Sequence, residues 1–307
     1  MIMPSPHHVI VATDENFAMP TSVALRSLLL HGGGPFAISV LHNGISLDAI
    51  DNIIASLPDR DFTISWHDMS DFSVGASAFS HLPDAACFRL HVADLVPAST
   101  SRVVYLDGDV LVRRDLSHLF TVDLEGAVFG AVRSVNFPSI ATRGAVDGWR
   151  ELGLDPRSHY FNSGVLVVDT DEWRNTNVKA KAIDYLLSGR CGPCLDQEAL
   201  NVTTSEQWFA LEPTFNQQTP LLDDQHGAHL LYPASVIEAA RTDPHIVHFQ
   251  DRPKPWHKGC THPWQDEWLA VAAGTRFTDH ADLPQRGLRS ELHWRTRRAA
   301  SALIKGR

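Results

Sequence analysis

Arg102-Val103-Val104-Tyr105-Leu106-Asp107-Gly108-Asp109-Val110-Leu111-Val112 is the stretch on which the reading of this chain turns. Valine and tyrosine crowd the run ahead of Asp107, and the run is short, which predicts a buried strand ending in an acidic tip. Along extended backbone, side chains two residues apart project to the same side. Asp107 and Asp109 therefore aim two carboxylates at one point. Converging hard oxygen donors suit a divalent cation. Gly108 between them lets a ligand approach the backbone closely.

An Asp-x-Asp triplet is weak evidence by itself. The 26 Asp among 307 residues make about two such triplets expected from composition alone, and the chain has three. Asp59/Asp61 follows Pro58 and reads as a solvated loop. Asp169/Asp171 follows Gly164-Val165-Leu166-Val167-Val168 and precedes a helical pattern, so it reads as N-cap chemistry at a strand-to-helix junction. Only Asp107/Asp109 has apolar runs on both sides. On residues alone it is either a metal site or a capped strand end.

The rest of the chain places this strand in an α/β protein. His8 to Thr13 reads as a first buried strand, closed by Asp14-Glu15-Asn16. A helix from about Pro20 to Leu30 follows, with Gly32-Gly33-Gly34 beyond its end. Phe36 to His42 reads as a strand, Leu47 to Leu57 as a helix and Phe62 to Trp66 as a strand. This β-α-β-α-β order predicts a parallel sheet that binds ligands at the carboxyl ends of its strands. No Gly-x-Gly-x-x-Gly follows the first strand, so a dinucleotide fingerprint is missing. Further on, Ala85 to Leu95 reads as helical and carries Arg89. Phe137 to Ser158 reads as a mobile loop and Tyr160 to Val168 as a strand. Asp171 to Leu187 reads as one helix, another starts at Asp196, and Pro244 to Phe249 reads as a strand.

A formal charge of −10 argues against nucleic-acid binding by the chain as a whole. Residues 286–307 hold seven Lys/Arg against Glu291 alone, a net +6, which leaves −16 for the remainder. The expected division is a catalytic domain over 1–275 and a basic tail over 276–307. From Gly287 onward, Leu288, Leu292, Ala299, Ala302 and Leu303 share one helical face. The tail thus reads either as a helix docked on an anionic membrane surface or as a solubilising or packed segment. Cys191-Gly192-Pro193-Cys194 has thioredoxin spacing but follows a helical pattern rather than a strand, which favours a surface loop. Four cysteines fit a reducing compartment. No run of about 18 apolar residues predicts a transmembrane helix, and no signal peptide is apparent. The expectation is a cytoplasmic protein, peripheral on the membrane.

The ordered set Ala12-Thr13-Asp14-Glu15-Asn16, Arg89, Asp107-Gly108-Asp109, Tyr160-Phe161-Asn162-Ser163-Gly164, Asp196-Gln197 and His248…Lys254-Pro255-Trp256-His257 resembles glycosyltransferase family eight. The resemblance spans most of residues 8–260. It implies a GT-A (Rossmann-like) fold with a mostly parallel central sheet, Mn²⁺ or Mg²⁺, and retaining transfer of a hexose from UDP-galactose or UDP-glucose. The acceptor would be a saccharide or lipid-linked glycan, as in lipopolysaccharide synthesis. Asp107, Asp109 and His248 correspond to metal ligands, and Lys254 to a charge on the phosphates. Ala12, Thr13, Asp14 and Asn16, with Gly108, correspond to nucleotide contacts. Arg89, Asn162, Ser163, Asp196 and Gln197 correspond to the donor-sugar shell. Gln197 is expected to stabilise positive charge on the ring, because an amide is a weak nucleophile.

Each of these residues has a plainer reading. His248 alone would be a core histidine, Asp14 or Asp196 a helix cap, and Arg89 half of an ion pair. Two departures stand out: Ser163 replaces the alanine of bacterial members, and Asp251 stands where they carry glycine near the diphosphate. A haloacid-dehalogenase-like phosphatase also opens on Asp-x-Asp, but Leu111 occupies its Thr/Val position. A non-catalytic carbohydrate-binding relative is the remaining alternative.

Overall fold

The computed structural model describes residues 5–74 and 84–277. The basic tail beyond 277 lies outside the described residues, and with it the expected amphipathic helix and most of the second segment.

The first half builds the β-α-β-α-β unit: β1 (His7–Thr13), α1 (Ala18–His31), β2 (Phe36–His42), α2 (Leu47–Ser56) and β3 (Phe62–Asp68). β4 (Arg102–Leu106) joins the large sheet, and β5 (Val110–Val112) leaves it for a smaller one. β6 (Phe129–Arg133), β7 (Phe161–Asp169), α3 (Thr170–Asn175), α4 (Val178–Leu187), α5 (Leu195–Thr203) and β8 (Trp208–Ala210) follow. β9 (Gln217–Gln218), α6 (Ala234–Thr242), β10 (Ile246–His248) and α7 (Gln265–Ala272) complete the order.

The large sheet runs β3-β2-β1-β4-β7-β6-β8. β3, β2, β1 and β4 are mutually parallel, and β7 runs against both of its neighbours. Strands buried on both faces need apolar residues at every position, and the sequence supplies them. Val9, Val11, Val104, Leu106, Val165 and Val167 pack toward Leu25 and Leu28 of α1 and Ile53 of α2. Their alternates Ile10, Val103, Tyr105, Leu166 and Val168 pack toward Ala182 of α4 and Leu200 of α5. The small sheet, β5-β10-β9, rests on α7 through Leu111, Val247, Phe249 and Trp268.

Four local expectations change. Asp107 and Asp109 do not extend one strand; they sit in the turn where the chain crosses from β4 to β5. The segment Asp84–His91 is a 3-10 helix. The single helix expected over Asp171 to Leu187 is two, broken at Asn177, whose φ of 53° is left-handed. The stretch 137–158 is a series of turns with a core of its own, in which Ile140, Ala145 and Val146 pack with Tyr160. Asp169 does cap α3, accepting from the amides of Asp171 and Glu172.

Candidate active site

A cavity of about 480 Å³ opens at the carboxyl ends of β1 and β4. Its lining includes Ala12, Thr13, Asp14, Arg89, Gly108, Asn162, Ser163, Asp196, Gln197 and Lys254, together with Asp107, Asp109 and His248. Of the residues given a metal, nucleotide, phosphate or sugar role from sequence, Asn16 alone falls outside this lining. It is exposed on the short turn after β1, and Phe17 faces the cavity instead. Asp14 lines the cavity, and its Oδ1 caps the backbone amide of Phe17, as its capping reading expected.

The two sheets bring the ligand set together. β10 carries His248 antiparallel to β5, opposite Val110. Its Nε2 lies 3.3 Å from Oδ1 of Asp109 and 3.7 Å from Oδ2 of Asp107. One ligand atom from each of the three lies within 4.8 Å of the others, which is room for one cation. β7 closes the wall at Gly164. A Cβ there would run into the His248 ring and lie 2.8 Å from Oδ2 of Asp107. Gly108 serves packing, because a Cβ would meet Thr21 Oγ1 at 2.6 Å.

The buried charges of the cavity are paired. Arg89, on the 3-10 turn, reaches Asp107 at 3.0 Å and Asp196 at 2.7 Å, and donates to the Ser163 carbonyl at 2.6 Å. Its guanidinium lies over the Tyr105 ring, whose hydroxyl donates to Asp107. Burial opposes the charge on Arg89, but Asp107 and Asp196 hold it above its ordinary range. Burial pushes Asp196 up to about 6, with Arg89 opposing that rise and Asp107 adding to it. Burial works against ionisation of Asp109 too, yet Lys254 and His248 hold it well below the usual carboxylate range.

Lys254 donates to Oδ2 of Asp109 and to the carbonyls of Phe249 and Gln250. An ammonium has three hydrogens, so all of them are committed here. Lys254 thereby clamps Asp109 to the loop after β10 while lining the cavity. Asp251 and Arg252 both belong to the cavity lining.

α5 begins under strain that places its first residues. Leu195 is fully buried with φ 42°, a left-handed conformation costing about 1–3 kcal/mol for a residue other than glycine. Asp196 and Gln197 follow directly and face Ser163. The Gln197 amide oxygen accepts from the Ser163 amide and from Asn162 Nδ2, both at 3.1 Å. These two bonds tie Gln197 to Asn162 and Ser163 at the cavity wall.

Sequence reading missed Phe17, Tyr105, Gln250 and Asn216. The first three sit beside flagged residues, whereas Asn216 carries no local signal. The Cys191 and Cys194 thiols are free and half-buried, and burial raises Cys191 far above its ordinary range and Cys194 to about 11. Reactive cysteines need the opposite shift.

A mostly parallel sheet with an acidic turn and a histidine at its carboxyl edge is the GT-A arrangement of glycosyltransferases. The structure of galactosyltransferase LgtC in complex with donor and acceptor sugar analogs has this fold. It matches at a TM-score of 0.71 and 21% identity, covering 89% of this chain and 98% of that one. The model of glycosyl transferase family 8 matches residues 8–260, and the chain belongs to that family. General stress protein A of Bacillus subtilis (strain 168) is 27% identical over 277 residues, 88% of this chain and 94% of that protein. The lipopolysaccharide 1,2-glucosyltransferase of Escherichia coli (strain K12) is 28% identical over 181 residues, 58% of this chain and 51% of that enzyme. The phosphatase alternative falls with this membership.

Proposed function

We propose that this glycosyltransferase is divalent-cation dependent and moves a hexose from UDP-galactose or UDP-glucose to a saccharide acceptor with retention of anomeric configuration. The observation that carries the reading is the convergence of Asp107, Asp109 and His248 in the cavity lining. Two carboxylate oxygens and one imidazole nitrogen form a donor set that suits Mn²⁺, and Mg²⁺ less well. When bound, the cation neutralises the charge that builds on the departing diphosphate.

The chain's own residues do the rest. Ala12, Thr13 and Asp14 offer the nucleotide a wall in which Asp14 can accept from base or ribose hydroxyls. Arg89 holds Asp196 at the sugar end, where its carboxylate accepts from hydroxyls and opposes positive charge on the ring. Gln197 positions Asn162 and Ser163 there. The acceptor attacks from the face the diphosphate leaves, and a phosphate oxygen of UDP takes its proton. The acceptor assignment, a lipopolysaccharide or other surface glycan, leans on the names of the relatives. Among the described residues no helix is long and apolar enough to cross a membrane. Peripheral docking through residues 276–307 is proposed from their basic composition alone.

The test is Mn²⁺-dependent UDP release from a panel of UDP-sugars, wild type beside Asp109→Ala. Release from one or two UDP-hexoses that disappears with EDTA and in the variant is the expected result. If UDP with Mn²⁺ neither stabilises the protein thermally nor is released from any donor, the reading fails and a non-catalytic relative takes its place.

A further inference from the structure

We infer that Asn216 keeps a hydrogen on Nδ1 of His248, so that Nε2 is the nitrogen that can face a cation. Asn162 and the backbone amide of Gly164 orient Asn216 in turn. The inference rests on the metal reading proposed above and adds a positioning residue that lies behind the cavity wall, in contact with the lining residues His248 and Asn162 but not itself part of the lining.

The hydrogen-bond directions follow from one fixed point. A backbone N–H can only donate, so the Asn162 atom 3.0 Å from the Gly164 amide is its oxygen, Oδ1. That oxygen lies 2.8 Å from the side chain of Asn216, whose facing atom must be the donor Nδ2. With Nδ2 turned toward Asn162, Oδ1 is the Asn216 atom 3.0 Å from His248 Nδ1. A carboxamide oxygen has no hydrogen to give. Nδ1 therefore carries the hydrogen, and Nε2 is left for the side of Asp107 and Asp109. Asn216 is fully buried, and His248 and Asn162 are nearly so. No solvent is there to replace a partner lost by a flipped amide. A ligating imidazole whose second nitrogen donates to a fixed acceptor has a set tautomer and ring angle. Here the acceptor comes from a side chain 32 residues earlier, on the residue just before β9.

Two measurements on the full chain test this. The first is nitrogen-15 spectroscopy of histidine-labelled wild type, with His248 assigned by its loss in His248→Gln. Spectra are taken without metal and with saturating Mg²⁺ and UDP. A hydrogen on Nδ1 in both states, with Nε2 alone changing, supports the inference; a bare Nδ1 in either state overturns it. The second is calorimetric titration with Mn²⁺ in the presence of UDP. Asn216→Leu should bind the ion about 10–100-fold more weakly than wild type, and wild-type affinity in that variant overturns the inference. Should Asn216→Leu not fold, the wild-type spectra decide. Should wild type bind no divalent cation, the metal reading fails, and the protonation of Nδ1 still decides what Asn216 does.

Discussion

The ammonium of Lys254 lies 2.6 Å from Oδ2 of Asp109, and both groups are buried. The pair joins the loop after β10 to the turn between β4 and β5. Lys254→Met removes the cation and leaves the carboxylate buried without it. Breaking one side of such a pair costs about 3–5 kcal/mol, and chemical denaturation should show a loss of that size. Added Mn²⁺ should restore part of it, because a cation at Asp109 replaces the missing charge. A variant as stable as wild type would show that Asp109 is not held by Lys254.

Arg89 bridges Asp107 and Asp196 with separate nitrogens of one planar fork. Lysine is a point charge and cannot span both. Arg89→Lys should therefore misplace one carboxylate and lower kcat/KM by about 100-fold, the scale of an ångström-sized misplacement. UDP release kinetics with the preferred donor measure this, and near-normal turnover would rule out the bridge as the arrangement that matters.

Asp196 is moved by burial from an ordinary 3.8 to about 6. Its folded value lies above its unfolded one, so folding favours the protonated form. That contribution is present in full below the unfolded value and is lost as pH rises through about 6. Subtracting the pH-stability curve of Asp196→Asn isolates it. The wild type should lose on the order of 3 kcal/mol relative to the variant between pH 4 and pH 7. A flat difference curve would show that Arg89 fully compensates the burial.

Gly164 gives His248 and Asp107 the space of a missing Cβ. Gly164→Ala should cost about 1–3 kcal/mol of stability as an overpacked core site. Its effect on the cluster should be larger, with Mn²⁺ affinity reduced at least about 10-fold. Equal affinity in a folded Gly164→Ala protein would mean that the ring and carboxylate move aside freely.

The strands were legible because their apolar runs are continuous, as burial on both faces demands. β2 begins and ends where the sequence places it, at Phe36 and His42. The helices were legible through their ends, notably the glycines after α1. The break at Asn177 was not, because no glycine or proline marks it. The 3-10 form of Asp84–His91 escaped because its consecutive buried residues Cys87, Phe88, Arg89 and Leu90 suit a helix of either pitch.

By itself the sequence determined that an α/β sheet carries Asp107 and Asp109 at its carboxyl edge, and which ordered residues share the site with them. Apolar period, turn chemistry and motif order are local or sequential properties, and they survive without coordinates. Tertiary structure alone decided the partners. It put β4 and β5 in different sheets and committed all three hydrogens of Lys254. It engaged the Gln197 oxygen with two donors, and it brought Asn216 to His248. Hydrogen-bond saturation and amide orientation depend on which atoms meet across distant segments, and no spacing along the chain encodes that meeting.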